Sequence, residues 1–391
     1  MRSVGRGARL GGWLALAAAA LVACSAPAAP TPAQPAASAP TASVPTTSAP
    51  AASGPAAAAP AATSARPAVP TTPVTLKAGV LAIGSWSGMF IAQERGYFQE
   101  LGLNVEMEQF PTGTEMRPGI VSGQLAVGGG GLNAGTMNLI GREADLKIVA
   151  DMESIRADHP SPDALAVRKD LWERGVIRAP KDIEGREIFA PGGAGGGLYL
   201  PIMRWAEREG IDKSRITMSN LGTSDIRIAL ANGGIELGFV SEPNLTAGLD
   251  AGEFNVLAST SDMYPGQELL VMVYNMKAIE AAGERAGERF MIGYLRGVRD
   301  YINAFYYDRD RDAVIDVLVR NTAVKDRQIY QRMRTNWADP NGRVNTANMS
   351  ADAAIYVAGG QMPQVPDLSR AYEPRFAEFA VSYLGEYQPP R

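Results

Sequence analysis

The sequence predicts an α/β protein of two lobes, set behind an export segment and a stalk. Three observations carry this reading. A βαβαβ run spans 183–243. A second α/β run spans 74–151. Two apolar strands, Ala164–Arg168 and Leu269–Asn275, take the chain from one unit to the other and back. Alternating strands and helices imply a parallel sheet covered by helices.

Residues 1–23 begin with Arg2, Arg6 and Arg9, followed by the apolar run Leu10–Val22. That run has export-signal length and is too short for an ordinary spanning helix. It ends in Leu21-Val22-Ala23-Cys24, which resembles the bacterial lipobox, where the cysteine becomes the acylated first residue. Cys24 is therefore the expected lipidation site. Each buried methylene contributes about 0.8 kcal/mol, so several acyl chains hold a protein on a membrane. The expected location is extracytoplasmic, lipid-anchored to the cell membrane, and on the periplasmic face in a two-membrane envelope. Residues 24–73 are the lipidated cysteine and an Ala/Pro/Ser/Thr-rich linker that cannot bury a core.

The first α/β unit opens with the strand Thr75–Ile83 and the loop Gly84–Gly88. A helix Met89–Arg95 follows, closed by Gly96, then a strand Asn104–Phe110 and a helix Arg117–Ser122. Leu125–Gly128 reads as a short strand entering the glycine run Gly128–Gly131. Leu132–Ile140 reads as a helix and Leu146–Asp151 as a strand. Residues 74–163 are the first part of lobe 1.

Residues 164–275 hold the crossing strands and lobe 2. The strand Glu187–Ala190 runs into Gly192–Gly197, glycine at every position but Ala194, and then into a helix Leu198–Glu209. The strand Ile216–Leu221 leads to a helix Ser224–Ala231, and the strand Glu236–Val240 ends at Ser241-Glu242-Pro243. Residues 276–391 complete lobe 1 with helices at Ala278–Tyr307, Asp312–Asn321 and Asp326–Asn336. Phe290, Tyr294, Val298 and Ile302 recur at helical spacing.

Ligands of open α/β sheets sit beyond the carboxyl ends of the strands. The loops at those ends supply the candidate ligand-binding residues. They are Ser85, Trp86 and Met89 after the first strand, and Gly131 and Asn133 after the second glycine run. Lobe 2 offers Gly193, Gly195, Gly196 and Tyr199 around the glycine loop, Thr223 at the next loop, and Glu242 and Asn244 at the last. Glycines before a helix allow close backbone approach and leave free amides. Trp86 and Tyr199 offer flat apolar walls. Glu242 has two readings of equal weight: an acceptor for a donor on the ligand, or an acid at the start of the next helix.

Composition excludes several classes. The chain has 391 residues and 46% hydrophobic content, enough for a large core. A net charge of −4 argues against nucleic acid. Cys24 and His159 are the single cysteine and the single histidine, so no internal disulfide and no Cys/His zinc site can form. The glycine loop lacks both G-x-G-x-x-G and a P-loop lysine. Asp308–Asp312 imitates a calcium loop, but Ala313 and Val319 stand where glycine and glutamate are needed. No metal, no cofactor and no catalytic residue is expected.

Several pieces in order carry a family resemblance: Gly96-Tyr97-Phe98 with Leu101–Glu106, Ser122–Leu125, Asn133-Ala134, Leu146–Ala150, Val167–Leu171, Lys181–Arg186, Gly210-Ile211 and Ala229–Gly233. They resemble the solute-binding proteins of ABC importers, in the SsuA/THI5-like group that serves sulfonates, taurine, nitrate and thiamine-precursor pyrimidines. The resemblance covers 74–275 well and the C-terminal helices loosely. It implies an α/β type II periplasmic-binding fold, two lobes with a double-strand hinge and C-terminal helices. It also implies a small solute, of the sulfonate, pyrimidine or aromatic/heterocyclic class, passed to an ABC permease and its ATPase, and a chain that acts as a monomer. One departure matters. Binders of small oxyanions in this group are expected to offer hydroxyl or cationic side chains at the second-lobe helix start, where this chain has glycine, Leu198 and Tyr199. A larger, ring-bearing solute with a donor group is expected instead. The rivals are a ligand-sensing lipoprotein without transport and a THI5-like pyrimidine-synthesis enzyme. That enzyme is expected to need a cysteine-rich motif that this chain lacks.

Overall fold

The computed structural model describes residues 67–159 and 161–391. The export segment, Cys24 and most of the stalk lie outside the described residues. The strands in chain order are β1 (Val74–Val80), β2 (Leu103–Gln109), β3 (Val127–Gly131), β4 (Leu146–Ser154), β5 (Asp163–Arg168), β6 (Glu187–Ala190), β7 (Thr217–Asn220), β8 (Leu237–Ser241), β9 (Phe254–Ser259) and β10 (Glu268–Asn275). They form two five-stranded sheets, β2-β1-β3-β10-β4 and β7-β6-β8-β5-β9. In the second sheet β6 pairs in parallel with both β7 and β8, the arrangement expected of a βαβαβ run.

The two apolar crossing strands lie inside the sheets. β10 runs antiparallel between β3 and β4, and β5 runs antiparallel between β8 and β9. Their unbroken apolar stretches follow from this central position, where both faces are covered. The chain passes between the sheets in two short stretches, one whose described residues are 155–159 and 161–162, the other 264–267. These two segments are themselves tied: Ile155 N donates to Gln267 O at 2.9 Å and Gly266 N to Ile155 O at 2.6 Å.

Several elements differ from the sequence expectation, each for a local reason. The run Gly128–Gly131 is strand, not loop, paired to β10 from Gly131↔Leu270 to Gly128↔Val273. Glycine is needed there because neighbours crowd the backbone. A Cβ on Gly128 would stand 2.2 Å from Ile120 Cδ1, and one on Gly129 2.5 Å from Met152 Sδ. The following helix begins at Ala134, since Asn133 Oδ1 accepts the Thr136 amide at 3.0 Å and caps it. The helix expected over 278–307 is two helices, Met276–Ala282 and Ala286–Tyr307. Gly283, Glu284 and Arg285 take positive φ in succession and turn the chain between them. The helix expected over 326–336 stops at Arg332. Strand β9 and the helices Met349–Ala358 and Arg375–Leu384 carried no expectation.

The helix Ala286–Tyr307 is the spine of the first lobe. Phe290, Tyr294, Val298 and Ile302 are all buried along it. It crosses the helix Ser87–Glu94 closely enough that a Cβ on Gly297 would lie 2.0 Å from Gly88 O. The C-terminal region touches elements of both sheets' units. The helix Arg327–Arg332 packs on Asn244–Asp250 of lobe 2, with Arg332 paired to Asp250 at 2.7 Å. The helix Met349–Ala358 packs on both Tyr199–Glu209 of lobe 2 and Ala134–Arg142 of lobe 1. Between them, residues 337–342 run along β4, where Ser154 N donates to Trp337 O at 2.9 Å.

Candidate functional site

The carboxyl ends of the parallel strands in the two sheets face each other. Gly131 ends β3 in lobe 1, and a Cβ there would lie 3.9 Å from Gly197 N of lobe 2. Gln267, in the second crossing segment, donates from Nε2 to Gly197 O at 2.9 Å. Tyr356 of the C-terminal region donates to Gly196 O at 2.8 Å. The glycine loop is thus held from three sides.

In lobe 1, Ser85 is buried and its hydroxyl donates to Glu153 Oε2 near the end of β4. Trp86 is fully buried, with its indole N–H directed to Gly79 O at 3.4 Å, and Met89 is buried beneath it. Neither has a face open to a solute in this structure. Burial follows from their position: the strand-to-helix turn Gly84–Trp86 folds back over the helix Ser87–Glu94. The wall expected of Trp86 is a packed turn.

In lobe 2, the glycines divide by role. Gly193 has φ +54, and a Cβ on it would meet Asn220 N at 3.0 Å; one on Gly196 would meet Pro191 O at 2.2 Å. Gly193 is demanded by its left-handed conformation and the β7 backbone beside it, Gly196 by the loop's own backbone. A Cβ on Gly195 would meet nothing within 4 Å. Tyr199 is buried, stacks on Tyr356 with centroids 5.7 Å apart, and has its hydroxyl pKa raised by that burial. Thr223 opens the helix Thr223–Ala231 and is half-buried. Asn244 opens the helix Asn244–Asp250.

Glu242 is buried. Its Oε2 accepts from Thr246 N at 3.0 Å, and its Oε1 from Thr246 Oγ1 at 2.9 Å and Arg334 N at 3.1 Å. The first two bonds anchor the helix start, so of the two sequence readings the geometry supplies the helix-terminal one. The third ties lobe 2 to the C-terminal region. Burial raises its pKa, and the three bonds oppose the rise.

Sequence reasoning passed over a further set of acids around the crossings: Asp151 and Glu153 on β4, Asp163 opening β5, and Glu268 opening β10. All are buried. Among the described residues none of them is in an ion pair. Burial raises Asp151 to about 7 and Asp163 to about 6, and drives Glu153 and Glu268 well above the ordinary range. Asp151 Oδ2 accepts from Ser154 Oγ at 3.0 Å and Asp339 N at 2.7 Å, and Glu268 Oε2 from Asn345 N at 2.8 Å. The signal was present in the sequence: charges at Asp151 and Glu153 interrupt an otherwise apolar strand end.

Two cavities flank the first crossing segment. One of about 380 Å³ is lined by His159, Asp262 and Arg334 among others. The other, of about 570 Å³, is bounded by both crossing segments, Trp337 and Asp339. None of the sequence-predicted residues lines either cavity. His159, the single histidine, stands edge-on to Tyr306 and stacked on Trp337 beside them.

The fold and its facing edges can be set against known proteins. A model of the NMT1/THI5-like family matches residues 84–303. No curated protein matches the sequence. Among solved structures, the alkanesulfonate-binding protein SsuA from Xanthomonas axonopodis pv. citri, bound to MOPS, superposes with a TM-score of 0.61 at 16% identity, covering 78% of this chain and 99% of that one. The nitrate-binding protein NrtA from Synechocystis PCC 6803 gives 0.62 at 11% identity, covering 80% and 89%. The ligand-binding component of an ABC-type import system from Staphylococcus aureus, with zinc bound, gives 0.62 at 14% identity, covering 78% and 99%. At these identities the structures show the shared fold, the two-lobed α/β architecture of periplasmic binding proteins. The family match spans more than half of the sequence, and the chain belongs to the NMT1/THI5-like family.

Proposed function

We propose that this protein is the membrane-tethered solute-binding component of an ABC importer, which captures a small organic solute between its lobes and delivers it to a permease. The observation that carries the reading is the pair of sheets whose parallel-strand ends face one another across two short chain crossings. Segments 155–162 and 264–267 act as the hinge. Residues 74–163 with 276–391 act as one lobe, and 164–275 as the other. Closure is driven by contacts the solute makes only when both edges touch it. Ser85, Gly131, Asn133, Gly195, Thr223 and Asn244 lie at those edges and are the contacts assigned to the solute. The reading is one of binding without turnover, by a monomer.

A lipid on Cys24 supplies the tether, and the stalk the reach to a permease. Cys24→Ser is expected to move the protein from the membrane to the soluble fraction of the envelope; persistence in the membrane fraction would rule out that anchor. Solute binding is tested by thermal stabilisation. A solute at a hundred times its dissociation constant adds about 2.7 kcal/mol. A folded protein that no small solute stabilises would defeat the reading.

A further inference from the structure

On the reading that the facing edges hold a solute, we propose that the solute is an organic cation, an ammonium or amidinium group held between Glu153 of lobe 1 and Asp163 of lobe 2. Each lobe presents the same device at its edge. In lobe 1 the Ser85 hydroxyl donates to Glu153, and in lobe 2 the Ser241 hydroxyl donates to Asp163. Both acids sit at the strand ends that face each other: Glu153 is level with Leu270, which also pairs with Gly131, and Asp163 is paired with Ser241. The two are near enough that the charge of Asp163 raises the pKa of Glu153. Such a pair is an attractive site for positive charge and a repulsive one for an anion.

The independent observation is an orphaned atom. Glu153 is 3% exposed, and its Oε1 is buried with no hydrogen-bond partner. Two other buried carboxylate oxygens here, Asp151 Oδ1 and Glu268 Oε1, also lack a partner, but each of those acids accepts a backbone amide on its other oxygen, from Asp339 and Asn345. No backbone amide donates to Glu153 among the described residues, and its one hydrogen bond comes from the Ser85 hydroxyl. A buried acceptor left unpaired is costly, and an N–H donor carrying positive charge satisfies both the hydrogen bond and the charge. Among the described residues, no arginine or lysine reaches Glu153 or Asp163. Arg334 is engaged differently, lying beside Glu242. Also among the described residues, no three acidic, histidine or cysteine side chains gather as metal ligands. An N–H donor, rather than a metal ion, also satisfies the orphaned oxygen with a hydrogen bond.

The test is a stabilisation and calorimetry panel on the purified protein, sorted by probe charge at neutral pH. The cations are putrescine, agmatine and benzamidine, each with charged N–H donors; the anions are ethanesulfonate and nitrate; cytosine is neutral. Stabilisation by a cationic probe is expected, with affinity lowered at least about tenfold by Glu153→Gln. Asp163→Asn is expected to do the same from the other lobe, so the proposal survives a failure of either variant to fold. Stabilisation by the anions or by cytosine alone would overturn the cation while leaving solute binding intact. A panel in which no probe of any charge binds the folded protein would overturn both. Binding of a cation undiminished in either folded variant would overturn the assigned residues.

Discussion

Glu242 shows how one side chain carries a meaning that its sequence neighbours leave open. A carboxylate before Pro243-Asn244 serves equally as a ligand acceptor or as an anchor for the helix that follows. The geometry gives its oxygens to Thr246 and to the Arg334 amide. Glu242→Ala strips two backbone amides and a hydroxyl of their acceptor. The expected cost is about 1–3 kcal/mol in urea unfolding without any solute present. A variant as stable as wild type would return Glu242 to a ligand role. Trp86 makes the same point more sharply. Its indole is fully buried, so Trp86→Ala is expected to cost about 3–5 kcal/mol, again independent of solute. A weak binding signal from that variant would report a damaged lobe, and Trp86→Phe is the informative substitution. Where these residues fall along the chain was legible in the sequence. Which way their side chains face was not, because that depends on the folded packing: the distant Arg334 for Glu242, and the fold-back of a turn for Trp86.

At the scale of elements, the two glycine runs look alike in sequence and behave differently. Gly128–Gly131 is strand, paired to β10 and kept free of side chains by Ile120 and Met152, and Gly192–Gly197 is a loop closed on itself. Periodicity cannot distinguish them, since glycine carries no side chain to alternate. The helices and most strands were legible because their apolar spacing is strong. The exceptions included β9, whose middle residues are only half-buried, the break at Gly283–Arg285, the early stop at Arg332, and the helices Met349–Ala358 and Arg375–Leu384. Within the loop, the crowding around each glycine separates structural need from freedom. Gly196→Ala brings a methyl against Pro191 O and is expected to destabilise by about 1–3 kcal/mol. Gly195→Ala meets nothing and is expected to stay within about 0.5 kcal/mol of wild type. Thermal unfolding of both variants checks the pair. If Gly195→Ala nonetheless weakens solute binding, the open face of Gly195 is where the solute backs onto the loop. If Gly196→Ala is as stable as wild type, the loop is not closed in the way described.

For the whole molecule, the buried acids at the crossings set how stability depends on pH. Asp151, held at about 7, meets Glu268, Ser154 and Asp339. Asp163, held at about 6, meets Ser241 and the charges of Glu242 and Glu153. Unfolded, an aspartate titrates near 3.8. The folded state therefore binds protons that the unfolded chain has already released, across a window from about 4 to about 7. The sign follows: these groups favour the folded state most below the unfolded value, and their contribution is lost as pH rises through the folded values. Glu153 and Glu268 push the same way, since both are also raised. Exposed acids such as Asp158, lowered to about 2 by Arg156, act in the opposite sense but only as pH falls toward that range. Between pH 8 and pH 5.5 the buried set decides. The melting temperature is expected to be higher at pH 5.5 than at pH 8 by at least about 2–4 °C. Asp151→Asn, which keeps the shape and removes the titration, is expected to flatten that slope. A melting temperature that falls on going from pH 8 to pH 5.5 would mean that the carboxylates find compensating charge in solution. These acids stand where both crossings and the segment along β4 meet. An organic cation that displaces a proton from Glu153 or Asp163 would hold the lobes together at neutral pH, where the empty protein is least stable.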